Sequence, residues 1–263
     1  MSILWPADSH QPDRPICLTA TIVTLVAALG LALYGPIFQP AHYHELADSV
    51  TWLGVANAAN VLSNIGFAAV GLWGLWRLAP APDDPAIASG WPGHMLFLIG
   101  LVLVTFGSSF YHLAPDDHRI LWDRLPIALA SAGLLAGTRT EIRGGDGVLW
   151  AGALALAAIA SVVWSAGFVS GGDLRPYLLL QILALVLLPL WQAIHRSPRR
   201  DRLAVGAAIA LYVLARLAEV YDHQVFVLLG SVPGLSGHTL KHLLATAAAG
   251  ALTWRLVARV RRV

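Results

Sequence analysis

The chain has one cysteine, Cys17, and one lysine, Lys241, in 263 residues. A single thiol excludes an intramolecular disulfide and any metal site built on cysteines. Charge is scarce too: Asp, Glu, Lys and Arg make up 12% of the residues, about half of the roughly 25% usual in a soluble domain. The net charge is only +2, and the sixteen arginines are scattered over many loops. No basic, aromatic-interleaved patch exists, so nothing points to a nucleic-acid partner. There is also no long linker, low-complexity segment, soluble domain or clear internal repeat.

What is plentiful is apolar sequence, 57% of the residues, with a mean hydropathy of +0.66. A membrane-spanning helix needs about 20 mostly apolar residues. Eight stretches qualify: 16–35, 58–79, 93–113, 120–138, 147–167, 176–194, 203–221 and 237–258. The expected fold class is all-α, a polytopic membrane helix bundle. The fourth stretch is the weakest, because it opens with Trp122, Asp123, Arg124 and Pro126. The first has one arginine before it, Arg14, and no small-x-small cleavage site after it; it reads as a spanning helix rather than a signal peptide.

Orientation follows from the arginines. Twelve fall on one side: Arg14, Arg77, Arg139, Arg143, Arg196, Arg199, Arg200, Arg202, Arg255, Arg259, Arg261 and Arg262. Only Arg119 and Arg175 fall on the other. This split predicts eight spans with both termini in the cytoplasm. The longest non-helical piece, about 36–57, then lies outside.

Ionisable residues at membrane depth are costly and usually functional, and here they cluster. The third span ends "GSSFYHL", with Ser108 and His112 at i and i+4 on one helix face. A short loop follows, and the fourth span starts "LWDRLP", eleven residues from His112 to Asp123. A hairpin this tight makes His112 and Asp123 neighbours on the outer side. The last span enters from that same side through "LSGHTLKHLLATAAAG", with His238 and His242 in its first two turns. Two histidines at i and i+4 lie about 6 Å apart along a helix axis, a spacing that suits two imidazole ligands on one zinc. A third imidazole from His112 makes a three-histidine site with an open fourth position, the arrangement that holds a water and lowers its pKa to about 7. Asp123 is placed to take that water's proton, and Ser108 to hold Asp123 or a developing oxyanion.

Plainer readings stand beside these. His238 and His242 alone suit a solvated interfacial pair equally well. Ser108 alone reads as a small packing residue, and Asp123 with Arg124 as an interfacial charge pair. His10, His118 and His195 sit in loops or at helix ends, and His94 falls on the cytoplasmic side. His42, His44 and His223 are outer-loop histidines. Lys241 points to another face from His242 and is expected to snorkel to the outer interface.

The pattern Ser108-x3-His112, Asp123 eleven residues on, and a late His238-x3-His242 resembles the alkaline ceramidases and the wider superfamily of seven-helix membrane hydrolases. "NVLSNIGFAAVGLWGL" (Asn60 to Leu75) resembles that family's first core helix with its Asn-x3-Asn. The likeness spans about 43 to 258 and implies a seven-helix core over 41–263, preceded in 1–40 by a tail and an extra transmembrane helix. It implies an intramembrane Zn2+ held by His112, His238 and His242, with Asp123 and Ser108 assisting water attack on the amide of ceramide or a related N-acyl lipid. The membrane lipid is then the partner. Eukaryotic members also carry a Ca2+ site. Glu45 and Asp48 correspond to two of its acidic ligands, but Asn57 stands where a glutamate aligns; solvation of an outer loop explains Glu45 and Asp48 equally. In "YVLARLAEVYD", Arg216 and Glu219 are an i,i+3 pair, and Glu219 and Asp222 are candidates to line the site. The receptor-like members of the superfamily, the progestin and adipoQ receptors, share the His/Asp pattern and supply the alternative: a zinc site with little turnover.

Overall fold

Apolar runs punctuated by Gly, Pro and Asp become helices in the computed structural model, which describes residues 14–167 and 172–260. His10, Arg261 and Arg262, with the side chains of Arg14 and Cys17, lie outside the described residues. The helices are α1 (Arg14–Tyr34), α2 (Ala58–Leu62), α3 (Ile65–Leu78), α4 (Trp91–Leu113), α5 (Ile120–Arg143), α6 (Gly147–Ser165), α7 (Arg175–Ile194), α8 (Arg199–Val220), α9 (Asp222–Leu228) and α10 (Gly237–Val257). No strand occurs among the described residues. Local chemistry sets the starts. α4 and α7 carry Pro92 and Pro176 in their first turns, where a missing N–H leaves nothing unsatisfied. Asp146 caps α6 by accepting from the amides of Val148 and Leu149 at 2.9 and 3.0 Å. Ser236 caps α10 by accepting from Thr239 N at 3.1 Å.

Six helical segments are long and apolar enough to cross a membrane: Ala58–Leu78, Trp91–Leu113, Ile120–Arg143, Gly147–Ser165, Arg175–Ile194 and Arg199–Val220. They leave large apolar side chains bare around the bundle, among them Leu72, Trp76, Phe106, Leu149, Leu156 and Leu203. So much exposed apolar surface is stable in lipid and not in water. The molecule is thus an all-helical bundle of the integral-membrane kind. α10 has 21 residues but carries His238, Lys241, His242 and Arg255, which dilute its hydropathy. The apolar part of α1, Leu18–Tyr34, is shorter than the six.

The most extensively packed pair is α4 with α5. Gly93, Gly100 and Gly107 recur every seven residues on α4 and face α5. A Cβ on Gly93 would lie 2.2 Å from Gly137 N, and one on Gly100 2.8 Å from Ala130 N. From the other helix, a Cβ on Gly133 would lie 2.3 Å from Phe97 N. Small residues of this kind let membrane helices approach to backbone contact. At the His112 end Pro126 lacks the N–H that would bond the Trp122 carbonyl. That carbonyl leans on Gly107, where a Cβ would come within 1.9 Å.

The span expected over 58–79 is broken between α2 and α3. Asn60 accepts on its carbonyl from Ser63 Oγ at 3.2 Å and Asn64 Nδ2 at 2.9 Å. Side-chain donors thereby replace the helical ladder at this point. α5 runs on to Arg143, past the expected end at 138, and the short α9 follows α8. At the opposite end from His112, Glu141 accepts from His94 Nε2 at 2.8 Å and from Arg259 Nη1 at 3.0 Å. His94 is about 27 Å from His112 along α4 by helix rise.

Replacing Gly93 or Gly107 by Val overpacks this seam and is expected to cost about 1–3 kcal/mol, read as a lower thermal midpoint in detergent. Gly152→Ala on α6, where an added Cβ meets nothing within 4 Å, is the control and stays at the wild-type midpoint. Equal midpoints for all three would remove the seam from the account.

Candidate metal centre

His112 stands at the end of α4, and His238 and His242 in the first two turns of α10; they are 0%, 5% and 2% exposed. Their ring centroids are 4.7, 4.9 and 5.0 Å apart. One ligand nitrogen from each lies within 4.8 Å of the others. The three buried residues can hold a metal ion, and no other such group of imidazole, thiolate or carboxylate ligands occurs among the described residues.

The hydrogen bonds decide which nitrogens are bare. Ser63 Oγ donates to the Asn60 carbonyl and lies 2.7 Å from His242 Nδ1. A hydroxyl has one proton, so Ser63 accepts from His242 Nδ1–H, and Nε2 carries the lone pair. That Nε2 is buried without a hydrogen-bond partner. His238 Nε2 lies 3.2 Å from Lys241 Nζ. An ammonium only donates, so this Nε2 is also a lone pair. His112 Nε2 is 3.2 Å from His238 Nε2. Two imidazole nitrogens on a tetrahedral ion at 2.0–2.1 Å are about 3.3 Å apart. The His112 and His238 Nε2 atoms thus converge at the spacing of two ligands on one ion, and the unpartnered Nε2 of His242 completes the set.

Neighbouring groups hold these side chains in place. Asn57 Nδ2 donates to the His112 carbonyl at 2.8 Å. Asp222 accepts from His238 N at 2.7 Å and from Ala47 N at 2.9 Å, tying the start of α10 to the segment between α1 and α2. Thr239 Oγ1 donates to Asn60 Oδ1 at 3.2 Å. A Cβ on Gly237 would lie 2.2 Å from the Ala218 carbonyl, so α10 starts directly against α8.

Ser108 and Asp123 are 2% and 5% exposed. Both line one cavity with His242 and Glu219. Glu45, Asp48 and Asn57 each engage other partners. Glu45 pairs with exposed His42 at 2.7 Å and raises the His42 pKa above its ordinary value. Asp48 accepts from the amides of Val50 and Gly234, and Asn57 serves His112. Asp222 holds the His238 backbone and lines a neighbouring cavity with Glu219 and His238.

Lys241 differs most from expectation. Its side chain is 15% exposed and lies inside, donating to Glu219 Oε1 at 2.8 Å. Glu219 also pairs with Arg216, as the i,i+3 spacing predicts, and accepts from Tyr43 Oη at 3.3 Å. His44, read as a loop histidine, contacts Tyr111 Oη at 2.9 Å, and the Tyr111 ring packs 4.8 Å from that of His112. Ser63 and Tyr43 were not legible as site residues, and Asn57 was read only toward a calcium site; the run of Asn57, Asn60, Ser63 and Asn64 was the signal for Ser63. Neither a protein-family model nor a curated protein matches the chain.

With Zn2+ as the probe, the purified protein is expected to bind about one ion per chain, measured by elemental analysis. His242→Ala loses it. Ser63→Ala keeps the ion but weakens binding 10–100-fold in chelator competition; unchanged affinity would show that Ser63 does not set the His242 tautomer.

Proposed function

We propose that the chain is an integral-membrane, zinc-dependent amidase that hydrolyses ceramide or a related N-acyl lipid to a free fatty acid and an amino lipid. One observation carries this reading: His242 of the histidine cluster, Asp123 and Ser108 line one apolar cavity of about 460 Å3, within the range of lipid and drug-sized sites. Phe67, Phe97, Leu101, Leu188 and Leu252 line its apolar part. A second, more polar cavity of about 430 Å3 includes His238 and shares Tyr43, Arg216 and Glu219 with the first. An amide with a long chain on one side and a polar group on the other suits this pair of spaces.

A zinc ion held by His112, His238 and His242 would polarise the amide carbonyl and make water a nucleophile near neutral pH. The chain's own groups do the rest. Asp123 accepts the proton of the attacking water and returns it to the leaving nitrogen. Ser108, one turn before His112, holds the Asp123 carboxylate in place. Glu219 holds the Lys241 ammonium, which lies 3.2 Å from His238 Nε2 and must turn aside for that nitrogen to act as a ligand. The membrane places the acyl chain, so no solvated lid is needed. The same reading takes α1 and α10 as spans, eight in all, with both termini cytoplasmic and the histidines toward the outer side. Residues 41–263 then form a seven-helix core like that of the alkaline ceramidases, with 1–40 added in front.

Fatty-acid release from a panel of N-acyl lipids tests the proposal. Wild type turns over, and Asp123→Asn keeps its zinc but loses at least about 10²-fold in kcat/KM. Zinc retained with no turnover of any lipid would favour the receptor-like reading. Absence of zinc from wild type would overturn the metal assignment.

A further inference from the structure

Arg124 follows Asp123 on α5 but faces a different environment. It is 7% exposed, and its guanidinium forms no ion pair among the described residues. Its charge stacks between Tyr43 and Tyr177, 6.0 and 5.8 Å from their ring centroids. Nη2 donates to Gln39 Oε1. Because arginine only donates, that contact fixes the Gln39 amide, with its oxygen on Arg124 and its Nε2 turned away. Gln39 Nε2 is buried and has no partner. Arg124, Gln39, Tyr43 and Tyr177 all line the apolar cavity that holds Asp123 and His242.

A buried cation without a counter-ion and a buried amide donor without an acceptor are each costly. Placed together on one cavity wall, they ask for the same thing, an anionic oxygen. The other charges on that wall do not supply it. Glu219 is shared by Arg216 and Lys241, and Asp123, the neighbour of Arg124 in the chain, forms no ion pair with it. Three cations, Arg124, Arg216 and Lys241, therefore face two carboxylates.

We infer that Arg124 and Gln39 form an anion subsite, and that the lipid amide taken by this chain carries a carboxylate on its amine portion, as an N-acyl amino acid does. The subsite rests on the proposed lipid-amide function for its place in a reaction, but not for its binding chemistry. Tyr43 joins the two centres: its ring faces Arg124 and its hydroxyl donates to Glu219, which holds Lys241 beside His238. Guanidinium and amide donors suit a planar carboxylate, with two oxygens to be met. A neutral diol headgroup would leave the Arg124 charge unpaired.

The probes are N-palmitoylglycine, its methyl ester and palmitate. Binding to the full-length protein in detergent is followed by tryptophan fluorescence, and fatty-acid release is measured alongside. N-palmitoylglycine should bind at least about 10-fold more tightly than the ester. The preference should collapse in Arg124→Gln, shrink in Gln39→Leu and survive in His242→Ala, which lacks only the metal ligand. The Gln39→Leu variant keeps the test decisive if Arg124→Gln does not fold. Equal binding of acid and ester overturns the subsite, even if ceramide is hydrolysed. Palmitate binding as tightly as N-palmitoylglycine, with the same dependence on Arg124, overturns the assignment to the amine side and gives the subsite to the released acid. Absence of fatty-acid release with the binding preference intact would instead strike the amidase reading alone.

Discussion

Backbone contact between α4 and α5 is the constraint on which the rest of the molecule depends. Glycine every seventh residue on α4, answered by Gly133, Gly137 and Ala130 on α5, removes the side chains that would hold two helices apart. In lipid no hydrophobic force drives helices together, so close packing must do that work. The seam fixes both ends of the hairpin at once. At one end it sets His112 and Ser108 against the first turns of α5, where Asp123 and Arg124 are buried. At the other end it seats His94 on Glu141.

The second constraint is the satisfaction of polar groups where no water reaches. Several buried polar atoms in and around the site lack a partner, among them His112 Nδ1, Asn64 Oδ1 and Gln181 Nε2. His242 Nε2 and Gln39 Nε2 are both bare and lie at the two centres where a ligand is inferred. The broken helix between α2 and α3 belongs to the same logic. By drawing Ser63 and Asn64 onto the Asn60 carbonyl, it brings a hydroxyl to His242 and sets the direction of the imidazole. A continuous helix would have been more stable locally and would have left that nitrogen unheld.

Lys241 shows how charge and metal chemistry share one space. Its ammonium reaches the lone pair of His238, and Glu219 holds it from the other side. The ion pair keeps a cation in an apolar interior without isolating it. Tyr43 and Arg216 extend this network to the wall between the apolar and the polar cavity. Charge balance at that wall is thus set by residues from α5, α8, α10 and the segment between α1 and α2 together.

Much of this was legible in the chain alone. Hydropathy and length marked the long helices, because lipid demands internally bonded segments of a certain span. The i,i+4 spacings of Ser108 with His112 and of His238 with His242, with a hairpin too short to separate His112 from Asp123, marked the candidate site, because helix geometry is local. What was not legible depended on which face met which neighbour. Lys241 turned inward because Glu219, on another helix, was there to receive it. Ser63, Asn57, Asp222 and Gln39 gained their roles from contacts across 179, 55, 16 and 85 residues. Glu45 and Asp48 went to other partners for the same reason. Composition and periodicity determine what each helix is; only the packed bundle decides which lone pairs and charges face one another, since those energies depend on distances between segments far apart in the chain.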